Sequence, residues 1–368
     1  AAERVDRRAG LSVAEFWRAH HLPRRPVVLT DQADLFQAAT WQSVEELCGS
    51  MSVAPDEYVP GTRSWARLVR AGPSWGGQVW NLSTWIREIR SGRVPPHVGI
   101  FDKGLAVPNN GCPALLAKLR VPAYFTRDVF KRPSERFAAA LESAGLTADS
   151  DPFKMHPSLF VQGPGFASGL HTDTLASHFW QINLSGRKRW TLFTVDPEQH
   201  EEFLHKTYHV STELLSTLGG NGSTADDVPP VEVTWGHTFP EDAALFDATA
   251  RAEAHLRHER LEVTVEQGEL IYIPSDTPHR VACLSSVAPA RAGPAEPCLS
   301  LSMNFIDPTN ARAAARMLRQ SAAFAFGGPS STRTLRLADA LEREHSSAVP
   351  SDGTASPELM SEWIGGSQ

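Results

Sequence analysis

A chain of 368 residues with a hydrophobic fraction of 41% and 10 Trp can bury one large core or two, which excludes global disorder. Its 42 acidic residues outnumber 35 basic ones, and a net charge of -7 with a pI near 6.1 gives no sign of a nucleic-acid partner. No apolar run reaches the roughly 20 residues of a membrane span, and AAERVDRRAG at the N-terminus has no apolar signal core.

Four cysteines, Cys48, Cys112, Cys283 and Cys298, are scattered without a Cys-x-x-Cys spacing. That usage predicts a reduced, cytoplasmic protein with neither a zinc site nor a disulfide framework. Arg far outnumbers Lys and Ala is abundant, a bias that fits a GC-rich bacterial genome.

Residues 1–150 read as an α/β surround. LSVAEFWRAHH, residues 11–21, predicts a short amphipathic helix with Val13, Phe16 and Trp17 on one side. LPRRPVVLTD leads into a short strand over 27–30, and Trp41 to Cys48 is again helical. Trp65, Trp75, Trp80 and Trp85 fall in a stretch broken by Gly, Ser and Pro, where such rings pack a small lobe against a main core. NLSTWIREIRSG predicts a helix opened by Ser83 and stopped by Gly92. VGIFDKG reads as a strand and CPALLAKLRVP as a helix ended by Pro122. YFTRDVFKR and PSERFAAALESAG close this half.

From Pro157 the pattern turns to β, and residues 151–308 read as a β core. LFVQ is a strand, GPGFASG a glycine-rich loop, and HTD sits at the edge of the next strand. HFWQINL and KRWTLFTV predict a hairpin around Ser185-Gly186. A polar insertion follows over about 197–260, with the helical patch EQHEEFLHKTYHVSTELLSTL and the linker-like GGNGSTADDVPP. LEVTVEQGELIYIP restores alternation, with Val263 and Val265, a turn at Gly268-Glu269, then Leu270 to Ile273. HRVACL and CLSLSMNFI predict a last strand pair. So many short strands point to a closed or sandwiched β structure. Residues 309–368 form a helical extension, of which 346–368 predict a mobile tail.

His171 and Asp173 make a His-x-Asp pair directly after the glycine-rich loop. In an extended segment, residues i and i+2 project to one side, so the two can grip one ion. GELIYIPSDTPH delivers His279 from a later strand. Two imidazoles and a carboxylate are the ligand set of non-haem iron(II) oxygenases, which leaves positions open for a co-substrate and dioxygen. Lys188 offers a cation at a fixed distance for the second carboxylate of a diacid. The His-x-acid spacing alone is weak evidence. His200-x-Glu202 is a second match, read as a solvated helical pair, and a His–Asp hydrogen bond beside an unrelated surface histidine would explain the first.

GLHTDTLASHFWQINLSGRKRWTLF, followed by GELIYIPSDTPH and LSLSMNF, resembles the JmjC-type (cupin-8-like) oxygenases, in particular their small hydroxylases. FDKG and LRVPAYFTRDVF resemble the segment that precedes the barrel in that family, and EFWRAHHLPRRPVVL is a weaker echo. The likeness covers roughly residues 95–195 and 262–306.

The resemblance implies a mainly β protein with α elements. Its core would be a double-stranded β-helix, a jelly roll, with a helical N-terminal surround and a C-terminal helical extension. It implies His171, Asp173 and His279 as iron(II) ligands, and Lys188 as the partner of the distal carboxylate of 2-oxoglutarate. Ser168 falls where the family often has a threonine on the same carboxylate. Gln181 and Asn304 match amides near the metal-chelating end, and Phe160 and Val281 would wall the co-substrate slot. These last four could equally be core residues. Relatives often add a tyrosine from the strand before the barrel. VGIFDKG has none, and Tyr124 is the nearest alternative.

The implied activity uses iron(II), 2-oxoglutarate and O2 to hydroxylate a C–H bond of an amino-acid side chain, free or in a peptide or protein. 2-Oxoglutarate would be decarboxylated to succinate. Asp173, standing where a halogenase would have Ala or Gly, favours hydroxylation. The alternative is a metal-binding cupin with a redox-neutral or non-catalytic binding role. No nucleic-acid or membrane partner is expected, and the C-terminal helices resemble pieces through which some relatives form homodimers.

Overall fold

A computed structural model describes residues 3–58, 68–70, 79–95, 98–147, 150–168, 171–195, 258–284, 297–324, 329–345 and 356–365. The strands that matter here are β1 (Val27–Leu29), β2 (Val98–Gly104), β3 (Ser158–Gln162), β4 (His178–Ser185) and β5 (Arg187–Val195). They continue with β6 (His258–Val265), β7 (Leu270–Ile273), β8 (His279–Leu284) and β9 (Cys298–Phe305). Among the described residues, one sheet runs Asp6–Arg8, β1, β7, β4, β9, β3, β2, Asp56–Tyr58, Leu68–Arg70. A smaller sheet runs Glu3–Arg4, β6, β5, β8.

The predicted hairpin at Ser185-Gly186 is not one. β4 pairs with β7 and β9, whereas β5 pairs with β6 and β8. Gly186, at φ +75°, instead carries the chain from the large sheet to the small one. A Cβ there would lie 3.0 Å from the Cys298 backbone. The Gly268-Glu269 turn likewise crosses between sheets, and β8 and β9, expected as partners, lie in opposite ones. Alternation reports which face a strand buries and leaves its neighbour open, which is why both expected pairings, β4 with β5 and β8 with β9, were misread.

Packing follows the alternation. In β9 every residue is buried. Leu299, Leu301, Met303 and Phe305 nonetheless enter the outer core, which leaves Ser300, Ser302 and Asn304 on the opposite face. The outer core joins the large sheet to the N-terminal elements through Phe16, Trp17, Trp85 and Phe125. Between the sheets, Phe179 and Ile271 of the large one meet Trp190, Leu192, Val265 and Val281 of the small one. Two sheets with a shared core are compatible with a jelly-roll sandwich. The helices Ala311–Phe324 and Pro329–Glu342 form a third cluster with Glu135–Ser143, through Leu141, Ala314, Ala338 and Leu341.

Several local expectations are corrected. The helix Leu82–Arg90 is entered from Asn81 rather than Ser83, although Gly92, at φ +73°, follows its end as expected. CPALLAKLRVP holds only the helical turn Pro113–Leu116 before the strand Arg120–Val121. The tail is anchored where it is described. Glu358–Leu359 pairs with Arg120–Val121, and Met360 and Trp363, three apart on one helical face, are both fully buried in the outer core. The cysteines form two disulfides, Cys48–Cys112 and Cys283–Cys298, with Cα atoms 5.2 and 6.0 Å apart. Sequence separations of 64 and 15 carry no pairing signal. Most of the expected insertion lies outside the described residues, as do Trp65, Trp75, His200 and Glu202. Among the described residues no helix is long and apolar enough to cross a membrane.

Trp363→Ala should cost about 3–5 kcal/mol of stability, the range for emptying a packed aromatic site. Urea denaturation reads this directly, and an unchanged midpoint would mean the tail does not dock.

Candidate metal centre

The site begins with backbone pairing. The segment leading to His171 runs antiparallel to β8, with bridges Ala167–Ala282 and His171–His279. His171 and His279 exchange both backbone hydrogen bonds, His171 N to His279 O at 2.9 Å and His279 N to His171 O at 2.7 Å. Directly opposed residues send their side chains to the same face, and the two rings stand 4.4 Å apart between centroids. Asp173, two residues on, brings Oδ1 to 4.0 Å from His171 Nε2 and 3.9 Å from His279 Nε2. One donor atom from each residue thus lies within 4.8 Å of the other two.

Proton positions suit a cation. His279 Nδ1 lies 2.9 Å from the Thr277 carbonyl, which can only accept, so Nδ1 carries the proton and Nε2 presents its lone pair. Burial lowers His279 to about 4 despite that bond, leaving the ring neutral at pH 7. Burial also pushes Asp173 up to about 6. His171 and the hydrogen-bonded Asn304 amide pull it down, and the Asp102 carboxylate adds to the rise. A neutral imidazole and a carboxyl that is costly to ionise without a counter-charge fit a divalent first-row ion with open coordination positions.

Lys188 lies on the same face of the small sheet. In register, Leu192 opposes His279, Trp190 opposes Val281 and Lys188 opposes Cys283. Four residues of strand separate the Lys188 level from the His279 level, about 13 Å of backbone. The ammonium is fully buried. It donates to Gln181 Oε1 at 3.0 Å and Ser300 Oγ at 2.6 Å, and sits 5.1 Å from the centre of the Phe160 ring. No carboxylate among the described residues pairs with it, and burial lowers it to about 7.

The remaining predicted residues divide between the two ends. Asn304 is at the metal end, donating to Ser177 Oγ at 2.8 Å. Gln181, expected near that end, is instead held at Lys188. Val281 lies between them in the inter-sheet cluster. The Ser168 hydroxyl accepts from the Val281 amide at 3.0 Å. Tyr124 is remote. It donates to the Leu11 carbonyl at 2.7 Å and packs in the outer core, whereas Phe101, on the strand that lacks a tyrosine, stands 4.9 Å from Phe160. Ser300 was missed, although serines at every second position of CLSLSMNF were a visible signal of a polar inner face. Ser158 Oγ, Gln162 Nε2 and Ser302 Oγ are buried without a partner among the described residues, as in a space built for a polar ligand.

No protein-family model matches this chain. Two named proteins are similar to it. Lysine-specific demethylase JMJ21 of Arabidopsis thaliana is 22% identical over 306 residues, which is 83% of this chain and 26% of that protein. The 2-oxoglutarate and iron-dependent oxygenase JMJD4 of Homo sapiens is 28% identical over 154 residues, 42% of this chain and 30% of that protein. The chain therefore spans less than a third of either relative.

Divalent metal affinity should fall about tenfold per pH unit once pH drops below about 6, because Asp173 must then release a proton to bind. Calorimetric titration with Mn(II) at pH 5, 6 and 7 measures this, and a flat profile would remove Asp173 from the ligand set. Lys188→Met should stabilise the ligand-free protein by about 1–4 kcal/mol near pH 6, as when a buried charge gives way to an apolar side chain. The folded-state value near 7 lies below the ordinary 10.5, so wild-type stability rises between those two pH values. The advantage of Lys188→Met should shrink over the same interval, as thermal melts at pH 6, 8 and 10 would record.

Proposed function

We propose that this protein is an iron(II)- and 2-oxoglutarate-dependent oxygenase that hydroxylates a C–H bond of an amino-acid side chain, free or in a peptide or protein. The observation that carries the reading is one face of the small sheet bearing both the convergence of His171, Asp173 and His279 and a buried ammonium with no carboxylate partner among the described residues. One similar protein is named for 2-oxoglutarate and iron, which supports those cofactors here. The other is named for lysine demethylation, which supports an amino-acid side chain as substrate.

In this reading His171, Asp173 and His279 hold iron(II), with Asn304 orienting the Asp173 carboxylate and Thr277 fixing the His279 proton. Lys188 receives the distal carboxylate of 2-oxoglutarate and regains its charge on doing so. Gln181, Ser300 and Phe160 hold its ammonium in place, and Val281 lies along the wall between the two ends. Iron(II), 2-oxoglutarate and O2 together supply the oxidation, converting the diacid to succinate and carbon dioxide and one C–H bond to C–OH. The chain's own contribution is to orient these groups and to keep water from an interior lined by Trp190, Phe179 and Val281. The core would be a double-stranded β-helix over 151–308, with residues 1–150 around it and the helices after 309 available for dimerisation.

Anaerobic addition of iron(II) and 2-oxoglutarate should produce a weak visible charge-transfer band, and admission of O2 should release succinate. Asp173→Ala should abolish both. Lys188→Met should lose about 2–5 kcal/mol of 2-oxoglutarate affinity, the cost of leaving a buried charge partner unpaired. Metal binding with no band and no succinate would leave the redox-neutral cupin as the reading.

A further inference from the structure

A second set of two imidazoles and a carboxylate, His21, His178 and Asp307, also brings its donor atoms within 4.8 Å, and it is more deeply buried than the first. Its protons argue against an ion. The Ser275 amide donates to His178 Nδ1 at 3.0 Å. A backbone N–H can only donate, so Nδ1 is bare and the neutral ring carries its proton on Nε2, the atom that would have to face a metal. At His279 the facing group is a carbonyl and the arrangement is reversed.

With that proton placed, the path through Thr309 to Asp307 follows. His178 Nε2 donates to Thr309 Oγ1 at 3.1 Å, and Thr309 Oγ1 donates to Asp307 Oδ1 at 2.6 Å. His21 Nε2 lies 2.8 Å from Asp307 Oδ2, and the Tyr272 hydroxyl bridges the two rings, 2.8 Å from His21 Nδ1 and 3.0 Å from His178 Nδ1. The Asp307 carboxylate also accepts from the Thr309 amide at 2.8 Å. Burial would raise Asp307, but His21 and His178 hold it well below the usual carboxylate range. The cluster is a hydrogen-bond network on Asp307 Oδ1 and Thr309, which His21 Nε2 also approaches at 3.1 Å, while Asp307 Oδ2 has no hydrogen-bond partner among the described residues.

What the network grips is the turn between β7 and β8, residues 274–278, which presents His279. Ser275 is held at its amide by His178 and at its carbonyl by the Arg24 guanidinium, which also lies 3.8 Å from Asp276. Asp276 adopts φ +56°, a left-handed conformation that a residue with a Cβ holds at a cost, so the turn requires restraint from outside itself. His21 and Arg24 come from the N-terminal segment, His178 opens β4 five residues after Asp173, and Asp307 and Thr309 follow β9.

We propose that His178 is a positioning residue for the metal centre: its Nδ1 anchors the Ser275 amide and so aims His279, while His21, Asp307, Thr309 and Tyr272 lock the ring. This rests on the reading of His171, Asp173 and His279 as metal ligands. Titration of the full chain with Co(II), followed by calorimetry and visible absorption, tests it. Wild type should bind one Co(II). His178→Leu, which removes the acceptor, should bind it about 10–100-fold more weakly with an altered ligand-field spectrum, the usual effect of removing a group that orients a ligand. His178→Asn, whose amide oxygen can take the place of Nδ1, should recover most of the affinity and the spectrum. If His178→Leu does not fold, Thr309→Val serves instead, and should weaken Co(II) several-fold with the same spectral change. Co(II) affinity and spectrum unchanged in a variant of lowered Tm would overturn the proposal, leaving only a structural role. A second Co(II) in wild type, lost on substituting His178, would overturn it in favour of a metal site. Wild type that binds no Co(II) would remove the metal centre itself, and the positioning role with it.

Discussion

The two backbone hydrogen bonds between His171 and His279 are the constraint on which the site depends. They join residues more than a hundred positions apart into one opposed pair, and opposition is what puts both imidazoles on one side. Asp173 follows by the period of two. A second bridge, Ala167 to Ala282, ties the glycine-rich loop to β8 as well, one residue out of the His171–His279 register. A slip of one residue would send an imidazole to the opposite face and dissolve the cluster.

Around that pair, the interior between the sheets is divided along its length. Trp190, Leu192, Phe179 and Ile271 make part of it apolar, whereas Lys188, Gln181, Ser300, Ser302 and Asn304 bring polar groups to faces that no water reaches freely. A sandwich built only for stability would fill those positions with aliphatic side chains, since an unpaired buried polar group costs about 1–3 kcal/mol. The disulfide between Cys283 and Cys298 crosses from the small sheet to the large one beside this polar region. Cys283 lies opposite Lys188, and Cys298 is two residues before Ser300. The sheet spacing at the lysine is thereby covalently tied.

Much of this arrangement was legible in the chain, and the rest was not for identifiable reasons. HTD, PSDTPH and the lysine after Ser185-Gly186 were readable because they combine unusual residue types with turn signals at short range. Strand pairing was not, because alternation in HFWQINL and KRWTLFTV is the same whether the two strands pair or part at Gly186 into different sheets. The cysteine bonds close over distances that local spacing cannot encode. Trp363 was lost to the polar residues around it, although Met360 and Trp363 are spaced for one helical face. His178 and His21 carried no motif at all. Their meaning lies in which backbone group, an amide or a carbonyl, faces each ring.

The folded chain by itself carries two electrostatic costs of opposite sign. Burial makes ionised Asp173 unfavourable at one end, and makes charged Lys188 unfavourable at the other. The two do not pair: Asp173 sits beside His171 and His279, and the β5–β8 register sets the His279 level about 13 Å along the strand from that of Lys188. A shift in protonation relieves either cost by giving up the charge; in the proposed reading the charges are kept instead, by a cation among the imidazoles and an anion at the ammonium. Ligands that bind the folded chain alone stabilise it in proportion to their affinity. In that reading the same separation favours a cation and a diacid bound together, because a lone cation or a lone monocarboxylate satisfies one end and leaves the other as it was.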